Sequence, residues 1–415
     1  MKRNKMIYPK DTMTAEERLA TVINLGEPDR VPVSMMFYYY APFHTGTQMG
    51  QYLNRQDVYM DTMREVYSDL GPWDMYYNIN PINRFIYTYA MMMRALWPGI
   101  ELPDDGVVIT DEVRYLEQED YDAIIKQSGL SFPLRDMLFR VRMLSRFCVE
   151  VKGWSTARIF AKLLKDIIRQ IHFWKKDWNW WKRQGCVIQI GMEAEMPFDT
   201  FSLARDVVNF SKDLLRNGTK VRDASLALSR SHARINRYIA SLSGVPRVQC
   251  YLHRTSNSFL SPKQFEEIAF PSMEIIIHQL IDHGITPLLH CDGDWLYNLQ
   301  ILRRLPARKC ILELDGLTDI FKAKEIIGDH MCLFGDVPAA MLATGSEAEV
   351  DEYCHRLIEE VGRGGGFILA GGCEIPSNAK PENLYTMIHS AEKYGYYPEK
   401  KSPLRNNVKA YHSVT

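Results

Sequence analysis

The 415-residue sequence predicts an α/β fold, a TIM-type (β/α)8 barrel with a helical cap in its amino-terminal half. Three observations predict it. Short β-branched or apolar runs recur, each followed by a polar or Gly-containing turn and then a helical stretch, the rhythm of parallel βα units. Apolar residues make up 46% of the chain and charged residues 24%, enough to bury a large core and unlike a disordered chain. Residues with metal-binding or acid–base chemistry stand directly after several runs, where a barrel would present them at its mouth.

In chain order, the clear runs are Arg30–Met36, Val187–Gly191, Val248–Leu252, Thr286–Leu289, Cys310–Leu314, Met331–Phe334 and Phe367–Ala370, with Trp73–Asn78 as the candidate eighth. From about residue 83 to 183 the rhythm lapses. That stretch is rich in methionine and aromatics (Tyr87, Met91–Met93, Trp97, Trp174, Trp178, Trp180, Trp181) and reads as a mostly helical insertion within one domain spanning 1–415. The best helix runs from Ser261 to Gly284, with Ser261 as its cap, Pro262 in the first turn and Gly284 as its stop. Pro271 should kink or split it, because it removes a backbone bond and crowds the preceding turn. Phe321–Gly328 and Glu347–Gly362 are further helices, and Lys400–Lys409 reads as a solvated tail.

A formal net charge of -1 gives no global attraction for nucleic acid. The residues after Met1 lead into polar Asp11–Arg18, so no signal peptide is expected, and windows such as Met273–Leu280 are too short to span a membrane. Eight cysteines scatter without the spacing of a secreted disulfide scaffold, which points to a reducing cytoplasm. Oligomeric state is left open, a homo-oligomer included.

The strand Thr286–Leu289 runs directly into His290-Cys291-Asp292-Gly293-Asp294. Alternation places 290 and 292 on one side and turns Cys291 away into packing, unless a turn beginning at 291 reverses it. A His and an Asp at a strand end, joined by Cys373 after the run Phe367–Ala370, would give the three-ligand arrangement of a catalytic metal site. Each residue alone has a bland reading, as a hydrogen-bonded strand-end histidine or an inert thiol. Their convergence is what favours a site. Glu193 and Glu195 follow the run Val187–Gly191 and could serve as an acid or base, although surface carboxylates are commoner. Of Glu313 and Asp315, which alternate through one strand, Asp315 is the better mouth candidate. His253 and Arg254 end the run Val248–Leu252 and could bind an anion or simply pair with neighbouring acids. Tyr39, in the triple Tyr38–Tyr40, could wall an aromatic pocket. His278 and His283 lie on a helix among apolar neighbours and read as structural.

Five segments resemble the uroporphyrinogen decarboxylase superfamily: Leu260–Glu267 with Pro271, Gly284–His290 with Gly293-Asp294, Asp319–Gly328, Leu333–Pro338 and Gly366–Cys373. Thr14–Pro32, Pro98–Leu102 and Glu119–Asp122 are similar to its amino-terminal half. The resemblance implies a TIM-type barrel and one of two chemistries. Metal-free tetrapyrrole decarboxylases hold a polycarboxylate with an arginine-rich loop after the first strand, whereas here Met35–His44 lacks those cations. Zinc methyltransferases, among them the coenzyme M methyltransferases, exchange methyl groups with a corrinoid (cobalamin) carried by a partner protein. The resemblance to these implies His290, Asp292 and Cys373 as zinc ligands. Thiol-methylating members carry Cys where this chain has Asp292. Carboxylate in place of thiolate leaves zinc a stronger Lewis acid toward an ether oxygen. The expectation is therefore zinc-activated transfer of methyl from a methoxy compound, such as an aryl methyl ether, to the cobalt of a partner corrinoid protein. A methylcorrinoid:thiol methyltransferase is the alternative, and a metal-free decarboxylase the second.

Overall fold

The computed structural model describes residues 6–78, 84–91, 94–111, 114–126, 141, 144, 145 and 148–398. Met92, Met93 and the Lys400–Lys409 tail lie outside them. Eleven strands are defined among the described residues. β1 (Ser34–Met35), β2 (Met75–Tyr76) and β5 (Val187–Ile188) form one parallel sheet, and β6 (Met192–Glu195), β7 (Arg247–Leu252), β8 (Thr286–Cys291), β9 (Ile311–Leu314), β10 (Cys332–Val337) and β11 (Phe367–Gly371) form another. An antiparallel pair, β3 (Arg94–Leu96) and β4 (Ile109–Asp111), stands apart.

The two parallel sheets join at both ends into one ring of eight strand positions. At one seam β5 and β6 are halves of a single passage, Val187–Glu195, whose first half pairs with β2 and second with β7. The break falls at Gly191, where a Cβ would lie 2.3 Å from the Val245 carbonyl oxygen, so only glycine lets the chain pass. At the other seam Leu369 N–H donates to the Pro32 carbonyl at 2.9 Å, and Val33 bridges Leu369 in parallel. This is the TIM barrel, with Trp73–Asn78 supplying the eighth position through β2. β7 to β11 are buried along almost their whole length because parallel strands are covered on both faces, and their few polar residues, among them Gln249, His290 and Glu313, are buried with them.

Inside the ring, Leu288, Ile311, Cys332 and Ile368 pack with Leu19, Val22 and Ile23 of the helix Ala15–Ile23, which closes the floor. Thr14 caps that helix in a capping box with Glu17. Arg18 and Arg30, both fully buried, bind Asp74 of the β2 passage at 2.5 and 2.7 Å, with Asp11 and Asp29 completing the cluster. Buried charges persist only when matched in this way.

Outside the ring, Ser261 caps its helix as expected, and the chain then passes Pro271 through a π turn, Phe265–Ala269. Phe270 N–H reaches back to the Phe265 carbonyl, five residues away, and Phe270–Ile281 continues as α-helix. The described part of the expected 83–183 insertion is dominated by the helix Thr156–Gln184, which ends one residue beyond that range and buries Phe173, Trp178 and Trp181 against the barrel core. No described helix is long and apolar enough to cross a membrane. All eight cysteines are free.

Candidate metal centre

Parallel pairing of β8 with β9 puts His290 directly opposite Glu313. Their side chains are almost sealed, at 4% and 2% exposure, with His290 Nδ1 2.7 Å from Glu313 Oε2. The contact occupies one ring nitrogen and turns the other, Nε2, toward the mouth. Nε2 lies 3.4 Å from Asp292 Oδ1 and 3.7 Å from Cys373 Sγ. The ligand atoms of His290, Asp292 and Cys373 all lie within 4.8 Å of one another.

Glycines make this convergence sterically feasible. Gly293 turns the chain at φ +85°, and a Cβ there would meet Ser256 Oγ at 2.5 Å. At Gly372 a Cβ would meet the Asp315 carbonyl oxygen at 2.4 Å, so the β11 loop can lie against the β9 loop only without a side chain. Cys373 is thereby brought to the mouth. Cys291, one residue from His290, belongs to the packing shell outside the barrel with Leu289 and Leu314.

The triangle has the size of a metal centre. Bonds of about 2.0–2.3 Å at tetrahedral angles separate an imidazole nitrogen from a carboxylate oxygen or a thiolate sulfur by roughly 3.4–3.6 Å. The donor set and spacing therefore fit zinc.

A second arm runs from Asp292, whose Oδ2 is 2.6 Å from His253 Nδ1, to His253 Nε2, 3.3 Å from Glu195 Oε2. Burial opposes charge on His290, yet Glu313, Asp292 and Cys373 raise its pKa well above the ordinary histidine value. Burial likewise opposes charge on Asp292, but hydrogen bonds with His253 and His290 hold its carboxyl well below the usual range. Deeper in the barrel, burial and the neighbouring Glu195 push Glu193 up to about 8, with His290 opposing. The shift favours the protonated form of Glu193. Tyrosines surround these acids: Tyr77 and Tyr251 share a 3.0 Å hydroxyl contact, and Tyr251 stacks on His253 and lies edge-on to His290.

Other candidates stand elsewhere. Asp315 spends its oxygens on backbone, accepting from Gly293 N–H at 2.6 Å and Leu317 N–H at 2.9 Å, so it braces two loops. Arg254 points its guanidinium at the Ser202 carbonyl, 2.9 Å away. Tyr39 meets the site through its backbone, donating N–H to Glu374 Oε1 at 3.1 Å, with its ring against Tyr38. Burial pushes Glu374 up to about 7.

Sequence reasoning passed over Glu313 in favour of Asp315 and missed Asp199, Tyr77 and Tyr251. Asp199 accepts from Arg254 N–H at 2.6 Å, and burial with nearby Glu195 raises it to about 8. Its only sequence signal is an acid in the first turn of the helix Pro197–Ala204 after β6. A cleft of about 840 Å³ between Leu53–Met60 and the helix Thr156–Gln184 shares no residue with this cluster.

The uroporphyrinogen decarboxylase (URO-D) family model matches residues 114–394. No curated protein matches the chain. Among solved structures, a methyltransferase from Methanosarcina mazei is similar over 92% of this chain and 99% of its own, with a TM-score of 0.63 at 13% identity. That likeness is one of fold.

Proposed function

Because the chain belongs to the uroporphyrinogen decarboxylase family, we propose that it is a zinc-dependent methyltransferase that passes the methyl group of a methoxy compound to the cobalt of a corrinoid carried by a partner protein. The observation that carries the reading is the His290–Asp292–Cys373 triangle, with Glu313 behind it. The methyltransferase from Methanosarcina mazei supports it by analogy of fold. The region after β1, where a polycarboxylate-binding decarboxylase would need cations, forms the helix Tyr40–Thr45 with neither Arg nor Lys.

His290 Nε2, the Asp292 carboxylate and the Cys373 thiolate would hold the ion. Bound there, zinc would supply a Lewis acid toward the methoxy oxygen. Glu313 fixes the His290 ring and its tautomer. His253 holds Asp292 in place through the 2.6 Å contact. The CH3–O bond breaks, the methyl group leaves without its bonding electrons for the nucleophilic cobalt(I), and the oxygen keeps the pair. Glu193, whose raised pKa favours the protonated form, would be the acid that gives that oxygen its proton. Asp292 in place of a second thiolate favours ether over thiol substrates.

The test is methyl transfer from a methoxyarene to chemically reduced cob(I)alamin, followed by the methylcobalamin spectrum. Transfer that is lost in His290→Ala is the expected result. Transfer only in the direction of a thiol from methylcobalamin would replace the ether reading.

A further inference from the structure

Two buried acceptors inside the barrel have no donor. Glu195, 7% exposed, has no hydrogen-bond partner for Oε1, and its Oε2 reaches only His253. Gln249, fully buried, directs its Nε2 to Tyr77 and leaves Oε1 unpartnered. They lie on adjacent strands, with Glu193 opposite Gln249 and Glu195 opposite Tyr251. A buried acceptor without a donor is unfavourable, so this wall is built to receive N–H or O–H groups.

The surrounding charge has one sign to spare. Among the described residues, no lysine or arginine pairs with Glu193 or Glu195. The two imidazoles at hand, His253 and His290, are each held between carboxylates and leave no positive group free for a ligand. The tyrosine rings add π faces, which attract cations and repel anions.

Resting on the reading of this barrel as the methyl-donor site, we infer that the donor is a methoxyarene with a hydrogen-bond-donating, non-anionic head, a phenol hydroxyl or an ammonium, received by Glu195 and Gln249. Carboxylated methoxyarenes are excluded. A carboxylate placed here would face Glu195 at close range with no lysine or arginine among the described residues paired into the wall, the charge of the proposed zinc being taken up by Asp292 and Cys373, and like charges in a partly dry site repel strongly.

Three probes share one 2-methoxyphenol ring and differ in the group para to the hydroxyl, which sets their charge: neutral 2-methoxyphenol, anionic 4-hydroxy-3-methoxybenzoate and cationic 4-hydroxy-3-methoxyphenethylammonium. Titration calorimetry of the full chain with each at neutral pH should give dissociation constants for the neutral and cationic probes at least tenfold below that of the anion. In Glu195→Gln the gap between cation and anion should narrow at least threefold. An anion that binds as tightly as the neutral probe overturns the inference. So does a gap that a folded Glu195→Gln leaves unchanged, or no saturable binding of any probe. The wild-type ranking stands as a test even if the variant fails to fold. Because the readout is binding, selectivity without methyl transfer would remove the proposed reaction and leave this inference intact.

Discussion

Glu313 Oε2 lies 2.7 Å from His290 Nδ1, and this contact decides which ring nitrogen faces Asp292 and Cys373. Glu313→Gln keeps the size of the side chain but loses the charge that fixes the tautomer. Zinc affinity should fall about 10–100-fold, read by competition with a chromophoric chelator. An unchanged affinity would mean that Glu313 plays no part in holding the ring.

Asp292→Cys should keep zinc and lose ether chemistry. A second thiolate binds zinc well but lowers its acidity toward oxygen, so metal content should stay near that of the wild type while methoxyarene turnover drops roughly tenfold or more. Turnover equal to the wild type would remove the chemical reason for preferring an ether.

The two cysteines near the triangle should separate cleanly. Cys291→Ala removes a thiol from the packing shell and should lower stability on the order of 1 kcal/mol with metal content unchanged. Cys373→Ala should do the reverse, sparing stability in the metal-free protein and losing the ion. Metal analysis with chemical denaturation of both variants checks this.

Beneath the β2 passage, Asp177 accepts from the Tyr76 hydroxyl at 2.7 Å and the Trp181 indole at 3.2 Å. Burial pushes its pKa up to about 6. An acid whose folded pKa lies above its unfolded value keeps its proton in the folded state after the unfolded chain has lost it. Stability therefore falls as pH rises from about 4 to about 6, by ~3 kcal/mol. Asp177→Asn should abolish that slope and be the more stable protein at neutral pH, as denaturant titrations at pH 4 and 7 would reveal.

Much of this was legible in the sequence because strand geometry is strict. Apolar runs marked the barrel positions, and period-two alternation separated His290 and Asp292 from Cys291 without reference to any structure. Alternation could not choose between Glu313 and Asp315, which share a face. The choice depends on how far β9 extends past β8, a register set by packing between strands, and it puts Glu313 opposite His290 while Asp315 falls into the loop. Where the Arg254 side chain goes was likewise beyond alternation: the chain turns after Leu252, and its guanidinium donates to the Ser202 carbonyl across the βα loops. The unpartnered oxygens of Glu195 and Gln249 leave no trace in a sequence, since only the folded barrel reveals what is missing beside them.

The central claim is that His290, Asp292 and Cys373 form one metal centre, and elemental analysis tests it most directly. Protein purified without chelator should carry about one equivalent of zinc per chain, lost in both His290→Ala and Cys373→Ala while each variant remains folded. A metal-free wild type, or zinc retained in both variants, would contradict it.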